Sequence, residues 1–292
     1  MKFFRRVFMF FARRNFFDWM PDELYVRLCY KCHMGKKLNL KNPQTFNEKL
    51  QWLKLYDRKP EYTRLVDKYA VREHIKEKIG EEYLIPLIGV WDRVEDIDFD
   101  KLPNQFVLKC THDSGGLVIC NDKSTLDIEE AKKTLQHFYK REYYYIQREW
   151  PYKNVPHRII AEKYMVDESG TQLKDYKFFC FDGEPKAVQI VTDRTVSKRS
   201  DFFDINFNRL PFARGSNNSG KEIKKPQGYD EMVRLAKVLS QGFAHIRVDF
   251  YDVNGKVYFG ELTFFSNSGF SKFHPDKYDK IFGDWIKLPT DK

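Results

Sequence analysis

The stretch from His245 to Phe265, HIRVDFYDVNGKVYFGELTFF, leaves this chain little freedom. Two apolar, β-rich runs flank Asn254-Gly255, a dipeptide that accepts the left-handed backbone of a two-residue hairpin turn. The stretch therefore folds as an antiparallel hairpin. Each arm carries one carboxylate in apolar surroundings: Asp249 between Val248 and Phe250, and Glu261 between Gly260 and Leu262. Exposed strand charges would account for either alone, but those flanks make plain exposure less natural. Two carboxylates on neighbouring strands repel unless something positive lies between them, which points to a divalent cation such as Mg2+. Arg247, two residues before Asp249, lies on the same strand face and is placed to neutralise a transferring phosphoryl group.

A second stretch supplies the complementary charge. FVLKCTHDSGG, Phe106 to Gly116, reads as a buried strand, then Lys109, then a polar loop ending in paired glycines. A lysine before bare backbone suits an anion, because glycines let N–H groups approach oxygen closely. By itself the stretch is better read as an ordinary hairpin between Phe106–Cys110 and Leu117–Cys120. Glu162 at the end of RIIAEKYMV, and Asp175 and Lys177 around Tyr176, add polar groups at strand positions. Together they favour a nucleotide and its metal over four unrelated surface features.

The rest of the chain reads as α+β. TFNEKLQWLKLYDR begins with a capping box, Thr45 to Glu48, and EYTRLVDKYAVREHIKEKIG reads as one further helix stopped by Gly80. YLIPLIGVW is expected as a short buried strand, Leu126–Glu149 as a helix capped at Ser124/Thr125, and YDEMVRLAKVLSQGF as another helix. LKDYKFFCFDGEPKAVQIVTDR predicts two strands about Asp182-Gly183, and residues 195–226 a polar, flexible loop. Arg194, Lys198, Arg199 and Arg214 in that loop would serve a lid, contact an acceptor or simply belong to a surface loop. Four regions are expected: a basic helix over 1–20, a helical region over 21–100, a glycine-loop subdomain over 101–155 and a metal-site subdomain over 156–292.

Charge separates the front of the chain from its body. Ten lysines and arginines in residues 1–41 meet only Asp18, Asp22 and Glu23, so most of the formal charge of +9 sits there. The nearly neutral body argues against a nucleic-acid partner. On a helix, Phe3, Phe4, Val7, Phe8, Phe10, Phe11 and Phe17 share a face opposite Lys2, Arg5, Arg6 and Arg13, while Arg14, Phe16 and Met20 fall off the pattern. That is the pattern of a helix lying in an anionic membrane surface, and equally of one docked on protein. Arginines interrupt every apolar run well short of the roughly 20 residues a bilayer needs. No export signal is recognisable, so the expected location is the cytoplasm or the inner face of the plasma membrane. CYKCH, Cys29 to His33, fits covalent haem attachment, but helical spacing accounts for it in a chain without an export signal.

Taken in order, TFNEKLQWLKLYDR, DKYAVREHI, FVLKCTHDSGG, REWPYKNVPHRIIAEKYM, LKDYKFFCFDGEPK and RVDFYDVNGKVYFGELTF resemble the TupA-like branch of the ATP-grasp proteins. The resemblance spans roughly Leu38 to Phe273. It implies two subdomains of largely antiparallel sheet with ATP and Mg2+ between them. It further implies that Lys109 and Lys68 contact phosphates and that Asp113, Ser114, Gly115 and Gly116 form a flap over them. Glu162, Lys163, Tyr164 and Met165 would form the adenine hinge, and Asp175 would hold the ribose, with Lys177 beside it. Asp249 and Glu261 would hold the metal, and Arg247 would approach an acyl-phosphate. A third metal position, Asn in many ATP-grasp enzymes, is Thr263 here, with Asn267 further along. The implied activity is a carboxylate–amine ligase of bacterial surface-polysaccharide (teichuronopeptide) assembly, acting on a glycan or lipid-linked glycan acceptor. A glycosyltransferase stacking sugars on Tyr143–Tyr145, Trp150 and Tyr152, and an ATP-dependent glycan kinase, are the alternatives. A buried helix face and a Trp-Pro corner account for those aromatics more simply.

Overall fold

The computed structural model describes residues 2–12, 14, 16–167, 173–192 and 199–289. Arg13, Arg194 and Lys198 lie outside the described residues, as do the side chains of Lys2, Phe3, Phe4 and Arg5. The chain opens with helices α1 (Lys2–Ala12), α2 (Asp22–Met34) and α3 (Phe46–Tyr56). At the start of α3 the Glu48 amide donates to the Thr45 hydroxyl at 3.3 Å, and the Thr45 amide donates back to the Glu48 carboxylate at 3.2 Å. That capping box is the one read from the sequence.

The next stretch departs from its expectation. It is two helices, α4 (Glu61–Val66) and α5 (Val71–Lys78), not one. Asp67 turns to φ −70°, ψ 115°, and its carboxylate accepts the Tyr69 amide at 2.8 Å. Such a local bond competes with helix continuation, and it leaves Lys68 in the break.

A four-stranded antiparallel sheet follows, from β1 (Leu87–Trp91), β2 (Phe106–Cys110), β3 (Leu117–Cys120) and β4 (Ile159–Lys163), in the order β1-β4-β2-β3. β1 starts only after Pro86 and is an edge strand, with Leu87 and Ile88 exposed rather than buried. The helical stretch after it begins at α6 (Ile128–Tyr139), capped by Asp127 and not by Ser124 or Thr125, and breaks before α7 (Tyr143–Gln147). Ala131 and Leu135 of α6 pack on Phe106, Leu108 and Ala161 to give this sheet its own core.

The second sheet has six antiparallel strands. These are β5 (Asp175–Phe181), β6 (Glu184–Thr192), β7 (Arg199–Asp204) and β8 (Arg209–Leu210), then β10 (His245–Val253) and β11 (Lys256–Thr263), in the order β11-β10-β5-β6-β7-β8. β9 (Ala213–Arg214) pairs with β12 (Phe273–His274) as a separate ribbon, and α8 (Tyr229–Leu239) and α9 (Lys277–Trp285) complete the chain. From Arg199 to Arg214 the expected loop thus carries three strands, while residues 217–226 remain without helix or strand. Phe202 and Phe203 are both buried, one on each face, so neither alternation nor polarity marks β7 in the sequence.

The two faces of the large sheet are distinct. Phe178 and Cys180 of β5 point to α8, where Phe178 meets Tyr229 and the Cys180 thiol meets the Ala236 carbonyl. Phe179 and Phe181 point the other way, into a cluster with Phe46 of α3 and Phe282 of α9. Asp175 and Lys177, by period two, share that second face beyond the helices' cover.

Candidate active site

The large sheet builds one wall of a cleft. Lys177, Asp249 and Glu261 lie in one row across β5, β10 and β11, each paired with the next. The row exists because of a bulge. From Val253↔Lys256 to Phe250↔Phe259 the hairpin is regular, yet Asp249 pairs with Glu261, leaving Gly260 as the extra residue. Without the bulge Asp249 would oppose Gly260, and Glu261 would point to the α8 face. A Cβ on Gly260 would sit 3.0 Å from the Asp249 carbonyl oxygen, so the bulge favours glycine.

Arg247 holds the row together. Its Nε and Nη2 donate to the two Asp249 oxygens at 2.6 and 2.7 Å, and Nη2 also donates to Glu261 Oε1 at 2.7 Å. Lys177 donates to Asp249 Oδ2 and lies 3.7 Å from Asp175 Oδ1. Burial would raise the Glu261 carboxyl, but Lys177, Arg247 and Lys68 hold it down at about 2. Burial works against the Arg247 guanidinium, and Asp249 and Glu261 more than offset it, so its pKa lies above the usual value. Thr263, opposite Arg247, donates its hydroxyl to Glu261 at 3.2 Å.

The small sheet supplies the other wall. Lys109 Nζ lies 2.6 Å from Glu162 Oε2, and Arg72 Nη1 lies 3.0 Å from the other oxygen. The glycine loop closes with the Cys110 amide on the Gly116 carbonyl at 2.8 Å. Gly115 sits at φ +115°, where a side chain is strained. Arg141 donates to the Asp113 carboxylate at 3.1 Å through Nε and to the Ser114 carbonyl at 2.7 Å, pinning the loop. From the α4–α5 break, Lys68 donates to the Asp113 carbonyl. Burial, with Lys109 adding to it, lowers the Lys68 pKa, while Glu261 across the cleft opposes the shift.

A cavity of about 260 Å³ lies between the walls. Lys68, Lys109, Asp113, Ser114, Gly115, Gly116 and Glu162 line it from one side, and Asp175, Lys177, Asp249 and Glu261 from the other. Arg247 contacts that second set from beside the cavity. Lys163, Tyr164 and Met165 follow Glu162 outside the lining, and Asn267 is exposed, its side chain toward Gly215 rather than in the cavity wall. Arg199 opens β7 and is half-buried, and Arg214 is fully buried on Ser266, which removes it from the surface where a lid would form. Arg72 and Arg141 were missed as site residues, and Tyr152, read only as a sugar-stacking ring, lines this cavity. Arg72 had a signal, lying four residues beyond Lys68 in DKYAVR, whereas Arg141 had none.

The residues fit Mg2+. Asp249 and Glu261 share one cation, the guanidinium, and among the described residues no group of three or more His, Cys, Asp or Glu could hold a metal alone. A two-carboxylate donor set is what Mg2+ uses when phosphate oxygens and waters supply the rest.

Two antiparallel sheets closing on a cleft, with a lysine and glycine loop on one wall and paired carboxylates on the other, define an ATP-grasp fold. The chain belongs to the TupA-like ATPgrasp family, whose model matches residues 48–287. It is similar to solved D-alanine–D-alanine ligases. That from Bacillus anthracis complexed with ATP is 18% identical over 68% of this chain and 54% of that one, with a TM-score of 0.41. That from Helicobacter pylori is 11% identical over 84% and 70%, at 0.43. An N5-carboxyaminoimidazole synthase from Aspergillus clavatus, in complex with ADP and 5-aminoimidazole ribonucleotide, is 14% identical over 77% and 52%, at 0.41. The chain spans little more than half the length of the first of these structures. No curated protein matches it.

Proposed function

We propose that the protein binds ATP with Mg2+ in this cleft and joins a carboxylate to an amine. The observation that carries the reading is the Asp249–Arg247–Glu261 cluster facing Lys109 and the glycine loop across one cavity. Lys109, Lys68 and the loop amides bind phosphates, and Glu162 to Met165 hold the adenine. Asp175 orients the ribose, while Asp249 and Glu261 would hold the metal, with Thr263 beside them. When bound, the metal offsets phosphate charge and orients the terminal phosphoryl group. The acceptor carboxylate attacks that group, the bond to the bridging oxygen breaks and ADP leaves, giving an acyl-phosphate, and Arg247 stabilises the charge that develops. An amine then displaces phosphate to form the amide.

The setting we infer is assembly of a bacterial surface polysaccharide at the inner face of the plasma membrane, with a glycan or lipid-linked glycan acceptor. The N-terminal aromatics support the membrane part. Phe8 docks on Tyr25 and Phe17, whereas Phe10, Phe11, Phe16 and Trp19 remain exposed, Trp19 by 75%. Arg6 and Arg14 accompany them on the surface. Among the described residues no helix is long and apolar enough to cross a membrane. Sedimentation with anionic vesicles should fall sharply in the Phe16→Ser/Trp19→Ser variant; equal binding would sink the membrane contact.

For the reaction, purified protein with ATP, Mg2+, candidate acceptors and amines should release ADP and phosphate and give an amide by mass. A product retaining phosphate would show a kinase instead. Stabilisation by nucleotide sugars but not by ADP would favour a glycosyltransferase.

A further inference from the structure

Glu162 lies between two cations that hold it in different ways. Arg72 donates from Nη1 to Oε1 at 3.0 Å and from Nη2 to the Ile85 carbonyl at 2.9 Å. Its planar fork thus ties the carboxylate to the backbone leading into β1. Lys109 takes the other oxygen, Oε2, at 2.6 Å, as a point charge on a flexible stem. With 22% of its side chain exposed, against 15% for Arg72 and 9% for Glu162, Lys109 is the most open of the three.

Arg72 is fixed at both ends. In the first turn of α5 its amide donates to the Tyr69 carbonyl at 3.2 Å, beside the Val71 amide on the Asp67 carbonyl at 3.0 Å. The helix break that frees Lys68 therefore also starts the turn that aims Arg72. At the other end, the Lys163 amide donates to the Pro86 carbonyl at 3.0 Å and holds the segment that presents Ile85. Arg72 and Leu84 line both the cleft and a separate groove of about 600 Å³, so they form the partition between the two.

The two cations cannot have the same fate when phosphate arrives. A phosphate taken by Lys109 in its present position would lie beside the Glu162 carboxylate, anion against anion. We propose that Arg72 is a positioning residue for base recognition: it keeps Glu162 by Oε1 while Lys109 leaves Oε2 for a phosphate, and the freed oxygen accepts the amino group of adenine. The inference rests on the nucleotide reading of the cleft and adds this exchange of partners to it. An ionised carboxylate oxygen only accepts hydrogen bonds, so it pairs with an amino group and repels a carbonyl oxygen in the same place. Without the fork, Glu162 loses its fixed aim once Lys109 departs.

Isothermal titration of the whole chain with Mg·ADP and Mg·IDP tests the exchange, because the base of IDP carries a carbonyl oxygen where adenine has its amino group. Wild type should bind ADP about tenfold more tightly than IDP, the strength of one hydrogen bond to a charged group. Arg72→Met, which keeps the bulk of the partition, should bring that ratio close to unity. Lys109→Met should weaken both nucleotides alike and keep the ratio. A merely structural role for Arg72 would move the two affinities together. Arg72→Lys retains the charge without the fork and should lose most of the preference; it carries the test if urea melts show Arg72→Met to be unfolded. A wild-type ratio in the folded Arg72 variant, a ratio that collapses in Lys109→Met, or equal affinities in wild type overturns the assignment. Failure of wild type to bind either nucleotide would instead remove the nucleotide reading of the cleft itself.

Discussion

The two walls of the cleft are built alike and charged oppositely. Both are antiparallel sheets whose inward side chains alternate with a core. On the small-sheet side Arg72 and Lys109 hold Glu162, Arg141 holds Asp113, and Lys68 sits on the Asp113 carbonyl, four cations to two carboxylates. On the large sheet Asp175, Asp249 and Glu261 outnumber Lys177 and Arg247. One wall suits an anion and the other a cation, so a phosphate chain carrying its metal meets complementary charge on both sides. The difference also predicts which wall tolerates damage. Carboxylates clustered on adjacent strands depend on their cations to remain folded, whereas the small sheet's cations spread over a strand, a helix and a helix break.

Four substitutions and a pH series test that contrast. Asp249→Asn should cost the most, lowering kcat/KM for ATP by about a thousandfold, roughly 4 kcal/mol; steady-state ADP release measures it. Next is Arg247→Met, which leaves Asp249 and Glu261 facing each other without their shared guanidinium. Breaking a buried pair costs about 3 kcal/mol, read by urea denaturation, and added Mg2+ should recover more stability in this variant than in wild type. An equal response to Mg2+ would mean that the metal and the guanidinium do not serve the same carboxylates. Gly260→Ala crowds the Asp249 carbonyl and should cost about 2 kcal/mol, with Mg2+-dependent ADP affinity falling as the carboxylates lose register. Lys109→Met on the opposite wall should weaken ADP about tenfold, roughly 1.4 kcal/mol, and leave stability nearly unchanged because Arg72 still pairs with Glu162.

The smallest effect is a slope with pH. Each sheet buries a histidine in its neutral form. Burial, then His157 and Lys68, lowers His112 to about 4, and burial, then Arg214 and Arg247, lowers His245 to about 3 despite its bond to the Cys180 carbonyl. In the unfolded chain both take a proton near 6.5. Their stabilising contribution is therefore complete above 6.5 and is lost as pH falls to 4 for His112 and to 3 for His245. His112→Asn should flatten the stability profile between 6.5 and 4 and leave the more acidic part to His245.

Much of this site was legible because its signals are short-range. The Asn254-Gly255 turn, the capping box of α3, the Lys109-glycine sequence and the carboxylates of β10 and β11 each rest on contacts within a few residues. The errors fell where distant partners decide or where a side chain bonds its own backbone. Asp67 ends α4 for a bond to Tyr69 that helix periodicity does not reveal. β7 is hidden because Phe202 and Phe203 are covered on both faces, and because the buried Asp201 takes its partner, Arg209, from the next strand at 2.6 Å. Arg141 sits beyond α6, and nothing near it in sequence points to Asp113.

By itself the sequence determined which residue types the site contains and which strands carry them, since turn chemistry and two-residue alternation are local properties of the backbone. Tertiary structure decided that those residues meet. Strict alternation from the hairpin turn would send Glu261 to the wrong face. The bulge at Gly260 returns it, and the break at Asp67 leaves Lys68 where it can reach the glycine loop. The first rests on the close approach of Gly260 to the Asp249 carbonyl across the hairpin, and the second joins a local bond, the Tyr69 amide to Asp67, to a distant one, the Lys68 amide to the Thr111 carbonyl at 3.3 Å.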